Sequence, residues 1–205
     1  GKTPYFTSEY PGYVITELTR RHPEMNFTFI QGAAGDVSTR FTRKSQKYDA
    51  VIDLGDKLAN EVDRLMAEEK EIKPLDKLVY DASIIPLTHE FNPIDISNLP
   101  EGLTPREIET IHIGVRVRET LAQHLDTLDK QVKISKIDLG PYTIVFAPNE
   151  LFSRYIDCLD TTKAALGAYS NGYSPYITGI SDNFITYKKF TDTVDIESKK
   201  RYMDT

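Results

Sequence analysis

The segment Tyr142–Ala147 constrains this chain more than any other. It follows the turn pair Gly140-Pro141 and stops at Pro148. Its last four residues, Ile144-Val145-Phe146-Ala147, are apolar at every position. Successive side chains of a strand point to opposite faces, so a strand open to water on one side alternates apolar with polar. A strand apolar on both faces belongs in the middle of a covered sheet. Val132–Leu139 reads as its hairpin partner across Gly140-Pro141. Such a sheet needs helices to cover it, and the rest of the chain supplies them.

The clearest helix spans 46–69. Tyr48, Val51, Leu58, Val62 and Leu65 recur at helical spacing, with Ile52, Ala59 and Met66 beside them. The charged end Glu68-Glu69-Lys70-Glu71 reads as a solvated terminus, and Pro74 closes the segment. Residues 9–21 read as a shorter helix, with Pro11 near its start and Val14 and Leu18 on one side. Thr104, Pro105 and Glu107 spell a capping box, which opens a helix running to about Leu128. Its stripe is Ile108, Ile111, Val115, Ala122 and Leu125. Arg118 falls on that stripe and reads as a snorkelling or ion-paired side chain rather than a catalytic one. Further strands are expected at Asn26–Ile30, at 77–88 and at Leu166–Tyr169. Phe91–Pro105 holds three prolines and reads as a long loop or a lid over a site. The tail from Asp192 is polar and expected to be exposed. The fold class expected is α/β, a mixed central sheet flanked by helices in a layered sandwich. A single domain over 1–205 is expected, with 192–205 as its polar tail.

Composition narrows the function. Acidic residues outnumber basic ones, 31 to 25, for a net charge of -6. Phosphate-backbone binding needs concentrated positive charge, so nucleic acid is not the expected partner. One cysteine, Cys158, forms neither an internal disulfide nor a cysteine zinc cage, and reads as a small apolar side chain on a helix. No run of eighteen apolar residues exists, so no transmembrane segment is expected. The expectation is a soluble protein, cytoplasmic in preference to secreted. Gly1-Lys2-Thr3-Pro4 carries no start methionine, as at a processed end or a fragment boundary.

Three places carry chemistry. The first is the loop Gly32-Ala33-Ala34-Gly35-Asp36-Val37-Ser38. Small residues let a bound group approach the backbone, and free amides there hold an anion or a developing oxyanion. Ser38 would stand beside that pocket, with Arg40 and Arg43 supplying positive charge. The loop is neither a Gly-x-Ser-x-Gly elbow nor a Walker loop. From the pattern alone, an ordinary strand-to-helix turn with Ser38 as a cap is the commoner reading. The second is Glu150, just past the apolar strand, where a carboxylate binds metal, acts as a base or favours a helix dipole. The third is the tyrosine set Tyr169, Tyr173, Tyr176 and Tyr187, whose phenols serve as metal ligands, oxyanion donors or packing residues. The four histidines, His22, His89, His112 and His124, are scattered and form no complete metal site.

In this order the three places resemble the neutral/alkaline, non-lysosomal ceramidases. Gly35-Asp36-Val37-Ser38 resembles the family segment that carries its catalytic serine, here Ser38. Pro148-Asn149-Glu150-Leu151-Phe152 is similar to the segment whose glutamate binds zinc, with Asn149 in place of a glycine. Ser170–Thr178 is similar to a segment whose second tyrosine, here Tyr176, is a zinc ligand. Phe6–Tyr13 is similar to the stretch after a zinc-ligand histidine. Tyr187 matches a carbonyl-polarising tyrosine after a one-residue shift, and Thr39-Arg40 replaces the family's Pro-Asn. The resemblance implies a zinc-dependent amidase acting on an N-acyl amide, a ceramide or a related lipid-like substrate. Zn²⁺ would be held by Glu150, Tyr176 and two histidines expected upstream of Gly1. Gly35, Asp36 and Arg40 would form the oxyanion and substrate loop. The chain would then be the C-terminal portion of a catalytic domain, with the N-terminal part as its partner. A binding module of the same fold without catalysis, and a phosphate or nucleotide binder using loop 32–38, remain as alternatives.

Overall fold

Where apolar side chains repeat at helical spacing, the chain is helical; where they alternate, the outcome depends on whether a backbone partner is available. The structure, a computed structural model, describes residues 6–68, 75, 77–172, 174–180 and 186–204. It divides into two compact units, Gly1–Ile30 with Ser38–Pro74, and Gln31–Val37 with Leu75–Thr205.

The first unit is built on α1 (Glu9–Arg21) and α2 (Tyr48–Glu68). Tyr13 donates to Asp56 and meets Gly55, while Arg21, further along α1, reaches Asn60 and Asp63, further along α2. The two helices therefore run side by side in the same direction, in step. Small residues of α2, Ala50, Gly55 and Ala59, are the buried ones. A Cβ on Gly55 would lie 2.3 Å from the Tyr13 ring, so the close approach requires glycine there. Val14, Leu18 and Ala59 form the core, with Phe27, Leu58 and Val62 packed on it.

Asn26–Ile30 does not form the expected strand. Its alternation survives, with Phe27 and Phe29 turned inward and Asn26, Thr28 and Ile30 exposed. Phe27 packs on the helix core and Phe29 meets the Tyr10 ring edge-on at 6.2 Å. The segment is held by its side chains rather than by a backbone ladder.

The second unit carries a mixed four-stranded sheet. Its strands are β1 (Val79–Pro86), β2 (Gln131–Asp138), β3 (Thr143–Phe146) and β5 (Ala164–Gly167), in the order β1-β2-β3-β5. β1–β2 and β2–β3 are antiparallel, and β3–β5 is parallel. The strand apolar on both faces thus sits between two neighbours, as its composition requires. Two short strands, β4 (Asn149–Leu151) and β6 (Ser174–Ile177), pair in parallel as a separate ladder. Ile85, Val132 and Ile134 of the large sheet share one core with Leu151 of β4, Ile177 of β6 and Tyr155. The α/β class is as expected.

Helix α3 (Pro105–Gln123) opens with the capping box read from the sequence, Thr104 and Glu107 each bonding the other's backbone. It stops five residues early, and a 3-10 turn, Leu125–Thr127, follows. α3 packs on α4 (Tyr187–Thr191), where Gly114 leaves room for Phe190 and the Tyr187 backbone. Three expectations are corrected. Glu150 opens no helix whose dipole it could favour: Asn149–Leu151 form strand β4, and only a 3-10 turn follows at Ser153–Cys158. Cys158 ends that turn, exposed, rather than lying on a helix as a packed side chain. The tail is not exposed: Asp192, Thr193 and Val194 are buried, and α5 (Ile196–Met203) buries Ser198 and Lys199. Polar tails dock when their polar groups find partners, and here they do. The expected turns at Glu69-Lys70-Glu71 and Pro74, the start Gly1-Lys2-Thr3-Pro4 and Tyr173 lie outside the described residues.

Candidate functional site

The β4–β6 ladder decides which side chains meet. Leu151 lies opposite Ile177, and both enter the core. Glu150 lies opposite Tyr176, one residue earlier on each strand. Alternation along a strand therefore turns Glu150 and Tyr176 together onto the face away from that core. A bulge between Asn149 and Glu150 makes the pairing possible, since it inserts Pro175 into β6 and brings Tyr176 rather than Pro175 opposite the carboxylate.

Three further groups surround this pair. The Tyr169 hydroxyl donates to Glu150 Oε2 at 3.2 Å. Tyr169 has φ 57°, in the left-handed region that a bulky residue adopts at a cost of about 1–3 kcal/mol. Asn171 and Gly172 follow at φ 64° and 128°. The tight, strained turn after β5 is what carries the Tyr169 phenol to the glutamate. The Tyr187 ring stands edge-on to Tyr176, centroids 6.3 Å apart. The Lys188 ammonium donates to the Gly35 carbonyl and lies 5.4 Å from the Tyr176 ring centroid and 5.9 Å from that of Phe152. Sequence reasoning missed Lys188, because a Lys-Lys pair on a short polar helix reads as solvated.

The loop before Ser38 is fastened to β4. Gly35 N–H donates to Leu151 O at 2.8 Å, and a Cβ on Gly35 would lie 2.5 Å from Glu150 O. Asp36 accepts from Ser153 N–H at 2.7 Å and from the Ser153 hydroxyl at 2.8 Å, capping the 3-10 turn that follows β4. Val37 N–H donates to Ala34 O. Two amides of the expected oxyanion loop, those of Gly35 and Val37, are thus already committed to backbone acceptors, and the Asp36 carboxylate is a cap.

Ser38 belongs to the other unit. There it caps the 3-10 turn Thr39–Phe41, accepting from Arg40 N–H at 3.3 Å and from Arg40 Nε at 3.1 Å. Of the two readings the loop pattern left open, this geometry is that of the cap. Arg40, expected in the substrate loop, is the residue that holds the Ser38 hydroxyl.

Glu150 and Tyr176 offer two oxygen donors side by side, with Tyr169 orienting the carboxylate from outside. That donor set fits half of a tetrahedral zinc centre, since zinc accepts carboxylate oxygen and a phenolate is an anionic oxygen donor of the same kind. Among the described residues no cluster of three His, Cys, Asp or Glu is arranged for a metal. The histidines are occupied or exposed. His22 lies 2.7 Å from Asp63, His89 bridges Thr193 and the Asp129 carbonyl, and His112 and His124 face solvent. No described helix is long and apolar enough to cross a membrane.

No protein-family model and no curated protein matches this chain. Solved structures do. A ceramidase complexed with C2 superposes with a TM-score of 0.61 at 11% identity, over 98% of this chain and 41% of that one. The neutral ceramidase from Pseudomonas aeruginosa superposes with a TM-score of 0.58 at 12% identity, over 98% of this chain and 40% of that one. The likeness is one of fold, and the chain spans about two-fifths of the length of these neighbours.

Proposed function

We propose that this chain is the C-terminal portion of a neutral-ceramidase-like catalytic domain, and that it serves zinc-dependent hydrolysis of an N-acyl amide. One observation supports this above the others. On a fold shared with ceramidases, Glu150 and Tyr176 stand opposite each other on one face of the β4–β6 ladder.

In this reading Glu150 and Tyr176 hold two of the four zinc positions. The remaining donors, two histidines, come from outside the described residues. A bound zinc would polarise the amide carbonyl or lower the pKa of a coordinated water. Tyr169 fixes the orientation of the Glu150 carboxylate. Tyr187, packed against Tyr176, donates its hydroxyl to the oxygen that gains charge in the tetrahedral intermediate. Ser38 is proposed as nucleophile or orienting hydroxyl on the strength of the Gly35-Asp36-Val37-Ser38 resemblance. The substrate is a lipid-like N-acyl amide, and the partner is the N-terminal part of the same domain.

The test is metal analysis of the full-length protein together with hydrolysis of an N-acyl amide. Stoichiometric zinc is expected, lost in Glu150→Gln and in Tyr176→Phe, with activity lost in step. Activity falling in Ser38→Ala while zinc is retained assigns the hydroxyl to the chemistry, and full activity removes it.

One observation favours the non-catalytic alternative. The Lys188 ammonium already brings a fixed cation over the Tyr176 ring. Full-length protein that folds normally but binds no zinc would select that reading. The phosphate-binding alternative has less support, since Gly35 and Val37 amides are engaged.

A further inference from the structure

At Gly35 the loop, the β4–β6 ladder and α4 come together. Gly35 is buried, and its N–H is committed to Leu151 O at 2.8 Å. A buried carbonyl needs a donor, and Lys188 Nζ is that donor for the Gly35 carbonyl. The same ammonium lies 5.4 Å from the Tyr176 ring centroid and 5.9 Å from that of Phe152. Both distances fall within the reach of about 6 Å over which a ring face attracts a cation. One half-buried lysine therefore joins the loop, the candidate metal ligand Tyr176 and the residue that follows β4.

The base of this lysine is held firmly. α4 packs on α3 and on β6. Phe190 is fully buried, and a Cβ on Gly114 would lie 3.0 Å from the Phe190 Cβ. Arg118 of α3 donates to main-chain carbonyls instead of snorkelling. One amino group reaches the Phe190 carbonyl at 3.4 Å and the Asp192 carbonyl at 3.0 Å, fastening the C-terminal end of α4. The far end of the contact is equally confined. Gly35 sits so close to β4 that a Cβ there would lie 2.5 Å from Glu150 O, so a shift of Gly35 is felt by the Glu150 main chain. The Tyr176 ring is flanked by the Lys188 ammonium and by the edge-on Tyr187 ring.

We propose that Lys188 is a positioning residue of the candidate site. Its ammonium locks the Gly35 carbonyl to the Tyr176 and Phe152 rings, and so holds the turn at Gly35-Asp36 and the Tyr176 phenol in fixed relation to Glu150. The task needs a donor for the carbonyl and a positive charge for the rings, which no neutral side chain supplies together. The placement of the turn rests on these contacts alone; its consequence for catalysis rests on the amidase reading.

Hydrogen exchange of the full-length protein tests the placement directly. Lys188→Met keeps an apolar stem and removes both donor and charge, while Lys188→Arg keeps both. The Gly35 amide should exchange at least about tenfold faster in Lys188→Met and return close to the parent rate in Lys188→Arg, with the α3 amides unchanged in either. Parent-like exchange at Gly35 in Lys188→Met overturns the proposal. So does loss of α3 protection in step with Gly35, since Lys188 would then support the fold and not the turn. Kinetics test the consequence. With N-acyl amide as substrate, Lys188→Met should lower kcat at least about tenfold with KM and zinc content retained, and Lys188→Arg should recover it. Unchanged kcat in Lys188→Met, or an arginine variant as slow as the methionine one, overturns the proposal equally. A parent protein without zinc or activity sinks the amidase reading instead, and the exchange rates then decide the role of Lys188.

Discussion

Gly35 and Asn149 are the positions where single side chains decide the most. Gly35 approaches β4 so closely that a methyl group would press on the Glu150 and Leu151 carbonyls and the Phe152 ring. Gly35→Ala is expected to destabilise the second unit by about 1–3 kcal/mol, seen as a lower urea midpoint with little change in slope. Asn149, where the ceramidase-like pattern has glycine, is fully buried and accepts a hydrogen bond from the Tyr202 hydroxyl of α5. Burial also holds the Tyr202 phenol well above its ordinary value of 10.0. A pKa raised by folding gives stability that is complete below the unfolded value and is lost as pH rises beyond it. Stability should therefore decline above pH 10 as the unfolded tyrosine ionises, and Tyr202→Phe should remove that component. The same variant removes this one hydrogen bond to the buried Asn149 side chain, at a cost of about 1 kcal/mol at neutral pH. Denaturant titrations at pH 8 and pH 11 separate the two effects. The sequence marked position 149 as a departure from the pattern. It did not reveal the partner, which lies 53 residues away.

Elements differ in how far local pattern determines them. The capping box of α3, the periodicity of α2 and the hairpin β2–β3 rest on short-range rules, and all three form as read. Asn26–Ile30 and Asn149–Leu151 do not, because a strand needs a partner that local pattern cannot name. The first found only helices to pack on. The second found β6, an element hidden within the tyrosine-rich stretch. The α1–α2 pair shows how charge then tunes an element. Arg20 and Arg21 hold the Glu17 carboxyl down to about 2 from its ordinary 4.5, and Arg21 also grips Asp63. A carboxylate with a depressed pKa contributes stability that is present above 4.5 and is lost as pH falls toward about 2. Helical circular dichroism of the chain should therefore melt earlier on acidification through that window. Glu17→Gln should flatten the dependence there, and an unchanged acid profile in that variant would remove Glu17 from the account.

At the scale of the second unit as a whole, the tail and the candidate site form one connected structure. The tail from Asp192 read as exposed because it is polar, yet its polarity is what seats it. The Asp192 carboxylate accepts from Thr178 N–H at 2.8 Å, the Thr178 hydroxyl at 2.6 Å and Lys199 at 2.5 Å. The side chains of this ion pair are only 2% and 10% exposed. Thr178 stands two residues beyond Tyr176, so this network fixes the end of the strand that carries the candidate metal ligand. Breaking one half of a buried pair leaves a charge without its partner, which costs about 3–5 kcal/mol. Lys199→Met should show a loss of that size in denaturant unfolding. Replacing both members, Asp192→Asn with Lys199→Met, should recover part of it, because the uncompensated charge is gone. If the amidase reading holds, zinc retention in the full-length protein should follow the same order: lowest in Lys199→Met, intermediate in the double variant, highest in the parent. Zinc loss without that stability ranking would place the tail's influence on the site somewhere other than Thr178.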